Sequence, residues 1–367
     1  MHQPCASLAL RFQPRLDGAA TGKELRDGVS SVLRVGSTLW LANDEGATLE
    51  RLVLGDGEAA AHRQFALRDL LDLPQPGKGA PAAPEVDVEG MDEADGWLWV
   101  TGSHSLKRCK PQHDETGAPK GPKRLARIAA DANRFLLARL PLAEVDGLPA
   151  PLRRDGARRA QRLPGTGRGN ALTRLLRKDR HLGAFIGLPG KENGFDIEGL
   201  AAIGERLFLG LRGPVLRGWA VVLELRPRGD GARLELAPFA HERKKRRVRK
   251  HFLDLGGLGI RDLCLQGEDL LVLAGPTMSL DGPVHVLRWR GAARCDGPCM
   301  LAAGDLQPVL ELPFGRGCDH AEGMTLLPGA GGGPPRLLVV HDQPAGARQP
   351  GESTLLADVF ELPAAGA

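Results

Sequence analysis

The sequence predicts an all-β protein, a β-propeller of five blades with four antiparallel strands each. Two observations lead to this prediction: a unit of about 60 residues recurs along the chain, and each unit holds short apolar runs separated by turn residues. Four short strands per repeated unit are typical of a propeller, in which each blade is one antiparallel sheet. The 367 residues, with Gly 49 and Pro 28, suit a single large all-β domain over residues 1–367.

Each unit begins with a Glu-Gly-apolar signal. Three clear copies read Asp87-Val88-Glu89-Gly90-Met91, Asp196-Ile197-Glu198-Gly199-Leu200 and His320-Ala321-Glu322-Gly323-Met324. A second apolar run follows each copy, and the pair predicts a β-hairpin. Two degenerate copies, placed by the runs LLVLAG and LWLAND, complete an aligned column that contains Ser30, Glu89, Glu198, Arg261 and Glu322, with spacings of 59, 109, 63 and 61 residues.

The long spacing of 109 residues leaves two alternatives open. A sixth blade could lie within it, or one blade could carry an insertion. The insertion is favoured because residues 150–190 combine an Arg-rich loop with a helical pattern of Leu172, Leu175 and Leu176. Asn170 is the predicted N-cap of this helix and Gly183 the predicted C-cap.

The two ends of the chain predict how the ring closes. The last unit runs out of sequence after its third strand, whereas residues 5–12 (CASLALRF) form a spare strand before the first unit. We expect this N-terminal strand to pair into the C-terminal blade, because closure removes open sheet edges.

The repeated D-x-E-G-[LM] signal, the GIRDL segment and the terminal H-A-E-G-M resemble the bacterial domain-of-unknown-function family 3616 over roughly residues 25 to 362. This resemblance implies a propeller-like fold and no known activity. Similar Glu-Gly-apolar turns occur in phytase-like and gluconolactonase-like propellers, several of which bind calcium and hydrolyse esters. That analogy concerns fold, and fold alone does not carry function.

If the units superpose, the column residues meet at one mouth of the central channel. Converging carboxylates repel one another, and a hard cation such as Ca²⁺ relieves that repulsion. The predicted cation ligands are Glu89, Glu198 and Glu322. Residues near the ends of the second strands join them, with Asp44, Arg212 and Arg261 as expected ligand-binding groups and His104, His341 and Asp342 as expected catalytic groups.

This set favours a metal-assisted protein that binds or hydrolyses a small anionic ester. An alternative stays open, in which each Glu is a structural latch that hydrogen-bonds to backbone amides of the neighbouring blade. The sequence predicts no nucleotide cofactor, because the Gly-rich stretch 164–170 lacks the Lys-Ser/Thr of a phosphate loop.

Two basic segments predict a different function, a non-catalytic scaffold that binds a protein, nucleic acid or an anionic membrane. Residues 241–250 hold seven Lys/Arg against one Glu, and residues 151–181 hold ten Lys/Arg against two Asp. Neither segment contains an aromatic residue that could stack on a base. The simplest interpretation of both is a solvated loop or a charged strand edge.

Neither a signal peptide nor a run of 18 apolar residues occurs in the sequence, so we expect a cytoplasmic protein without a membrane span. Six Cys in so long a chain do not indicate a disulfide framework, and a cytoplasmic setting would keep them reduced. Cys295 and Cys299 enclose Asp-Gly-Pro, a spacing that differs from that of a zinc knuckle, and no second pair lies nearby in the sequence.

Overall fold

A computed structural model of the chain describes residues 1–16, 18, 24–74, 85–240, 245–278, 280–315 and 319–363. The described residues form an all-β, propeller-like fold of antiparallel hairpins with short helices between them. Five hairpins, each with one residue of the aligned column in its first strand, stand in a ring, and we number the units that they begin from one to five. None of the helices that the structure describes is long and apolar enough to cross a membrane.

The strands of the first half of the chain belong to the N-terminal segment and to units one and two. They are β1 (Ala6–Arg11), β2 (Val29–Val35), β3 (Thr38–Asn43), β4 (Thr48–Leu54), β5 (Glu58–Ala66), β6 (Val88–Ala94), β7 (Trp97–Gly102), β8 (Lys107–Arg108), β9 (Ile128–Ala129), β10 (Leu137–Val145), β11 (Leu148–Pro151), β12 (Arg154–Asp155), β13 (Arg158–Arg159), β14 (Gln161–Arg162), β15 (Gly165–Thr166) and β16 (Gly169–Asn170).

The second half contains units three, four and five. Its strands are β17 (Asp196–Ile203), β18 (Arg206–Gly213), β19 (Trp219–Leu225), β20 (Pro227–Asp230), β21 (Arg233–Leu236), β22 (Val248–Asp254), β23 (Gly259–Gln266), β24 (Asp269–Gly275), β25 (Val284–Trp289), β26 (Met300–Leu301), β27 (Gln307–Leu312), β28 (His320–Leu327), β29 (Arg336–Asp342) and β30 (Thr354–Glu361).

Helical segments are short and lie between the strands. The α-helices are α1 (Leu67–Leu70) and α2 (Ala171–Leu176). The 3₁₀ segments are Leu25–Asp27, Pro122–Arg124, Ala132–Phe135, Gly183–Phe185, Gly190–Glu192, Ala292–Arg294, Ala303–Asp305, Ala330–Gly332 and Gly346–Arg348.

The first strands of the units, β2, β6, β17, β23 and β28, contact one another in that order around the ring, and β28 closes against β2. Apolar side chains pack between neighbouring units in five clusters, one for each junction. Both faces of the central strands are therefore buried, which explains why β3 and β24 are apolar along almost their whole length instead of alternating.

Ring closure by the N-terminal strand is confirmed. Strand β1 pairs with β30 in antiparallel register from Ala6 opposite Val359 to Arg11 opposite Thr354. The outer edge of β1 also pairs in parallel with β5 of unit one at Ala9 and Leu10. Units five and one thus share one sheet in the order β2-β3-β4-β5-β1-β30-β29-β28.

The sheets differ from the expected set of five equal blades. Only unit four forms a separate sheet of four strands, in the order β23-β24-β25-β27. Unit three has a fifth strand because β26 pairs in parallel with β22. Unit two belongs to a seven-stranded sheet because the hairpin β20–β21 joins it through β14. These additions cover outer strand edges with short segments from the long connections, which protects the edges from unwanted pairing.

The predicted helix in the 150–190 insertion is confirmed at its start and wrong at its end. Asn170 caps α2, since its side chain accepts from the Thr173 amide and the Thr173 hydroxyl accepts from the Asn170 amide. Leu172 and Leu176 are buried, but Leu175 is 43% exposed, and the helix ends at Leu176 rather than continuing to Gly183. The Asp179 carboxylate accepts from the His181 and Leu182 amides and turns the chain.

Candidate functional site

The aligned column predicted from the sequence coincides with a structural feature of the first strands. In every unit the register of the first hairpin shifts at the column residue, so that Ser30, Glu89, Glu198, Arg261 and Glu322 each occupy a β-bulge. A bulge leaves its extra residue unpaired and re-aims the side chain. The repeated bulge directs these side chains toward the axis of the ring.

The glycine after the Glu allows neighbouring first strands to approach closely. A Cβ atom on Gly90 would lie 2.8 Å from Leu200 Cβ, and one on Gly199 would lie 2.9 Å from the Leu263 nitrogen. Real Cβ atoms do not come so close. The glycine is therefore required for the tight contact between these units, whereas the bulge itself also forms at Ser30-Ser31 and Arg261-Asp262.

The order of the column around the ring is Ser30, Glu89, Glu198, Arg261, Glu322, and this order decides which charges are paired. Arg261 stands between two carboxylates and contacts both, with its Nε 3.0 Å from Glu198 Oε2 and its NH2 against Glu322 Oε1. Ser30 donates to the Val88 carbonyl at 2.6 Å. Glu89 lies between Ser30 and Glu198 and has no cation as a ring neighbour.

Glu198 is held by a second guanidinium as well. NH1 of Arg212 contacts Glu198 Oε1, and Nε of Arg212 donates to the Thr277 carbonyl at 2.9 Å. The three column glutamates accept no backbone amide among the hydrogen bonds of the described residues. The latches between units come from other residues: Asp92 Oδ2 accepts from the Ala202 amide and Asp262 Oδ2 accepts from the Met324 amide, both at 2.7 Å.

These side chains line an axial cavity of about 240 Å³. Its acidic residues are Asp44, Glu45, Asp87, Glu89, Glu192, Asp196, Glu198, Glu322 and Asp342, and its basic residues are Lys107, Arg108, Lys110, Arg134, Lys191 and Arg212. Nine acidic groups thus face six basic ones. The structure brings together six of the nine sequence-predicted site residues here, and Arg261 adjoins them through Glu198.

The floor of the cavity is acidic and poorly solvated. Burial and the nearby carboxylates of Asp87 and Asp342 raise the pKa of Asp44 to about 7. Burial raises the pKa of Asp196 to about 7 as well. Burial, together with the charges of Asp87 and Glu198, also raises the pKa of Glu89 well above its ordinary value.

Three of these carboxylates share one further property. Among the described residues, Asp44, Glu89 and Asp196 have neither a hydrogen bond to their side-chain oxygens nor an ion pair. Asp87 differs, because it contacts Arg134, whose guanidinium also donates to Glu85 Oε1 at 2.9 Å and to Ser105 Oγ at 2.7 Å. The uncompensated negative charge of the cavity is therefore concentrated on Asp44, Glu89 and Asp196.

The rim of the cavity is basic and comes from two connections, the one between β7 and β10 within unit two and the one that precedes β17 of unit three. Lys107, Lys110 and Lys191 are exposed there. The Gly190 amide donates to the Leu106 carbonyl at 3.1 Å, and Arg108 NH2 donates to Glu192 Oε2 at 2.8 Å. These bonds hold the segments 105–110 and 189–192 together over the mouth.

His104 and His341 do not reach the cavity. His104 is buried in unit two, where Nδ1 donates to the Gly102 carbonyl at 2.8 Å and Nε2 accepts from Asn170 Nδ2 at 2.7 Å. His341 is buried with Nε2 3.6 Å from Asp358 Oδ2. Burial lowers the pKa of each to about 4, which favours the neutral imidazole at neutral pH. The predicted catalytic roles of these two histidines lack support in this geometry.

Sequence reasoning missed several residues of the site. Asp87 and Asp196 stand two positions before Glu89 and Glu198 in the repeated signal, and that repetition could have placed them beside the column. The rim residues and Arg134 carried no such signal, because they lie in the non-repeated connection.

The cysteines also differ from expectation. Cys295 and Cys299 are joined as a disulfide, whereas Cys5, Cys109 and Cys264 are free. Proximity in the turn Asp-Gly-Pro brings the two sulfur atoms together. The expectation that all cysteines are reduced is wrong for this pair.

The fold and the cavity define a propeller-like protein with a polar axial site. Within that class, the chain belongs to the family described as protein of unknown function DUF3616, which matches residues 28–358. No curated protein matches the sequence.

Two solved structures illustrate the overall similarity. One is Myxococcus xanthus glutaminyl cyclase, at 10% identity with a TM-score of 0.40, covering 98% of this chain and 100% of that one. The other is the PQQ-bound aldose sugar dehydrogenase from Streptomyces coelicolor, at 15% identity with a TM-score of 0.34 and the same coverage.

Proposed function

We propose that the chain is a five-bladed propeller whose axial cavity binds a divalent cation and, with it, a small anionic ester that it hydrolyses. The observation that carries this proposal is the set of unpaired carboxylates Asp44, Glu89 and Asp196 at the cavity floor. Asp196 is buried, and Asp44 and Glu89 are half-buried. Carboxylates that lose water without gaining a partner are costly, and a hard cation with oxygen ligands offsets that cost.

The donor set fits such a cation in its chemistry but differs from the sequence prediction. Glu198 and Glu322 already have arginine partners, which leaves Asp44, Glu89 and Asp196 as the proposed ligands. No three of the cavity carboxylates in the described part of the chain bring oxygen atoms within 4.8 Å of one another. The side chains would therefore have to turn inward to hold Ca²⁺, Mg²⁺ or Mn²⁺.

The rim supplies the attraction for the anionic ester. Lys107 and Arg108 are paired with Glu85 and Glu192, whereas Lys110 and Lys191 have no ion pair among the described residues. Their exposed ammonium groups favour an anion at the mouth, above the acidic floor. A bound divalent cation would polarise the ester oxygen. No histidine of the described residues lines the cavity, so a carboxylate is the proposed acid–base group there.

The test is thermal melting of the purified chain in chelator and then in Ca²⁺, Mg²⁺ or Mn²⁺, with Glu89→Gln as the variant. A ligand present at 100 times its Kd stabilises the native state by about 2.7 kcal/mol. We expect one of these cations to raise the Tm of the natural chain and to leave Glu89→Gln unchanged. Glu235→Gln makes the same substitution at an exposed position on β21, so it is the matched control and should keep the response.

A positive result is followed by a panel of carboxylic and phosphoric esters, with and without the cation. Turnover that needs both the cation and Lys191 supports the proposed substrate class. Absence of any cation response, or a response that survives in Glu89→Gln and Asp196→Asn alike, would contradict the cation site.

A specific observation favours a second candidate function, the binding of a nucleic acid. The two basic segments converge on one cleft, where Lys178, Arg180 and His181 of the insertion face Lys245, Arg246, Arg247 and Lys250. Residues 241–244 of the second segment lie outside the described residues. Phe252 also lines the cleft, and the His181 ring stands edge-on to it at 5.3 Å. The cleft therefore contains an aromatic ring that the segments themselves lack.

This second function is tested by fluorescence anisotropy with a single-stranded oligonucleotide over a range of salt concentrations. Affinity should fall steeply with salt. In the double variant Lys178→Gln, Arg247→Gln, the slope of the logarithm of the binding constant against the logarithm of the salt concentration should decrease in magnitude by about 0.7 for each lost phosphate contact. Arg228→Gln, at an exposed position outside the cleft, should not change it. Equal binding by all three proteins would contradict a role for this cleft.

A further inference from the structure

A second cluster of ligand-type atoms lies far from the axis, at the outer edge of unit three. His251, Cys295 and Cys299 bring one imidazole nitrogen and two sulfur atoms within 4.8 Å of one another. His251 is 44 residues from Cys295 in the sequence, so the spacing of the cysteines alone could not show this cluster. Histidine and cysteine are the ligands that zinc prefers.

The fold orients His251 toward the sulfur atoms. His251 is fully buried on β22, and its Nε2 lies 3.1 Å from Glu224 Oε2. Its Nδ1 accepts from the Cys299 amide at 3.2 Å. The proton therefore belongs on Nε2, and the lone pair of Nδ1 faces the cysteine turn, where a metal ion would replace the Cys299 amide as its partner. A histidine fixed in this way by a carboxylate is the usual second-sphere arrangement of zinc ligands.

The cysteine turn is held in place by backbone pairing. The Phe252 amide donates to the Cys299 carbonyl at 3.0 Å, and the next residues pair with β22 as the parallel strand β26. Both sulfur atoms lie against the Gly297 carbonyl oxygen, at 3.2 Å from Cys295 and 3.5 Å from Cys299. The two sulfur atoms are thus on the same side of the turn as His251.

The surrounding charges are compensated without the cysteines. Glu224 is fully buried and also interacts with Arg206 and Arg249, at 3.2 Å and 3.5 Å. Two thiolates beside this group would need a dication of their own. Cys295 also lines a cavity of about 500 Å³ that opens to solvent, which provides a path for an ion.

We propose that the reduced pair Cys295 and Cys299 binds one Zn²⁺ ion together with His251, with Glu224 as the positioning residue for the imidazole. Three protein ligands leave one position for water. The site joins the connection before β27 to the edge of unit three, so its role is structural. The disulfide is the oxidised, metal-free form of the same site.

The two forms interconvert with a dithiol reductant. The reductant supplies two electrons and two protons, which breaks the S–S bond, forms two thiols and leaves the reductant as its own disulfide. Zn²⁺ then replaces the two thiol protons, which pass to solvent. Zinc binding is therefore expected to depend on prior reduction.

Unit one contains a matched control. His62 Nε2 lies 2.6 Å from Glu50 Oε2, and His62 Nδ1 accepts from the Gln13 amide at 3.0 Å. Both bonds correspond to those of His251. In the part of the chain that the structure describes, however, no sulfur atom accompanies His62, so this buried Glu–His pair lacks the other ligands and should bind no zinc.

The experiment measures zinc on the full chain, after reduction and removal of the reductant, by competition with a chromogenic zinc chelator. We expect one equivalent of zinc in the reduced chain and none in the oxidised chain. Cys295→Ser with Cys299→Ser should abolish it, and Glu224→Gln should weaken the affinity about 10- to 100-fold. His62→Gln and Cys264→Ser should retain one equivalent.

Cobalt substitution keeps the proposal testable if the buried variants fold poorly. Thiolate ligands give Co²⁺ an intense charge-transfer absorption that oxygen ligands do not, which also separates this site from the axial carboxylates. Absence of that absorption in the reduced natural chain, or zinc binding that persists in the double Ser variant, would overturn the proposal.

Discussion

Glu89 and Glu198 occupy equivalent β-bulges in adjacent units, yet only the Glu198 carboxylate is paired with cationic side chains. Glu198 lies between Arg212 and Arg261 and contacts both. Glu89 lies between Ser30 and Glu198 and contacts neither a cation nor a donor among the described residues. The repeat thus directs each side chain to the axis, whereas residues outside the repeated signal, Arg212 on the second strand of the same unit and Arg261 in the next unit, decide whether its charge is paired.

The largest effect is expected at Arg261. Replacing it by Gln leaves Glu198 and Glu322 without their shared cation, and breaking a buried ion pair costs about 3 to 5 kcal/mol. The free energy of unfolding in urea should fall by that amount, while Arg228→Gln at an exposed site should change it little. A loss comparable to that of Arg228→Gln would mean that the pairing does not stabilise the ring.

A smaller loss is expected for Glu198→Gln. Arg261 keeps Glu322, and Arg212 keeps its bond to the Thr277 carbonyl, so each guanidinium retains one partner. We expect a loss of about 2 kcal/mol, the scale for a hydrogen bond to a charged group. The measurement is the free energy of unfolding in urea for Glu198→Gln and for the natural chain, with the exposed variant Glu235→Gln as the control. If Glu198→Gln were as stable as the natural chain, the contacts of Glu198 with the two guanidinium groups would contribute no stability.

The unpaired side of the ring should respond to pH. Because the pKa of Asp44 is raised from 3.8 to about 7 in the folded chain, its contribution to stability is complete below about pH 4 and is lost as the pH rises through 7. Asp44→Asn should therefore stabilise the chain more at pH 8 than at pH 5. Melting both proteins in chelator at the two pH values gives this difference, and a gain that is equal at both would contradict it.

The smallest effect is expected for Glu89→Gln in chelator. Removing an unpaired buried charge relieves repulsion, so we expect a gain in unfolding free energy of up to about 1 kcal/mol at pH 8. The unfolding free energy should thus rise in Glu89→Gln and fall in Glu198→Gln, which tests the difference between the two glutamates directly. A loss at both positions would show that Glu89 has a stabilising partner.

Much of the molecule could be predicted from its sequence. The spacing of the Glu-Gly signals located the first strand of each unit, and the spare residues 5–12 predicted the closing strand. These features are local or periodic, since a β-bulge and an apolar run are encoded by adjacent residues. For the same reason, the column aligned Glu89, Glu198, Arg261 and Glu322 at what the structure shows to be the same bulge of each unit.

Tertiary structure decided which of these groups are chemically available. Arg261 is paired and Glu89 is not because of the order of units in space. His104 is enclosed by Asn170 from the insertion, 66 residues away. His251 meets Cys295 and Cys299 only after β26 pairs with β22. Charge pairing and ligand distances depend on contacts within a few ångströms in space, between residues that are far apart in the chain. The repeat, in contrast, is a pattern of neighbouring residues. The sequence alone therefore determined the ring of strands, and the tertiary structure determined which side chains are paired or free to bind a ligand.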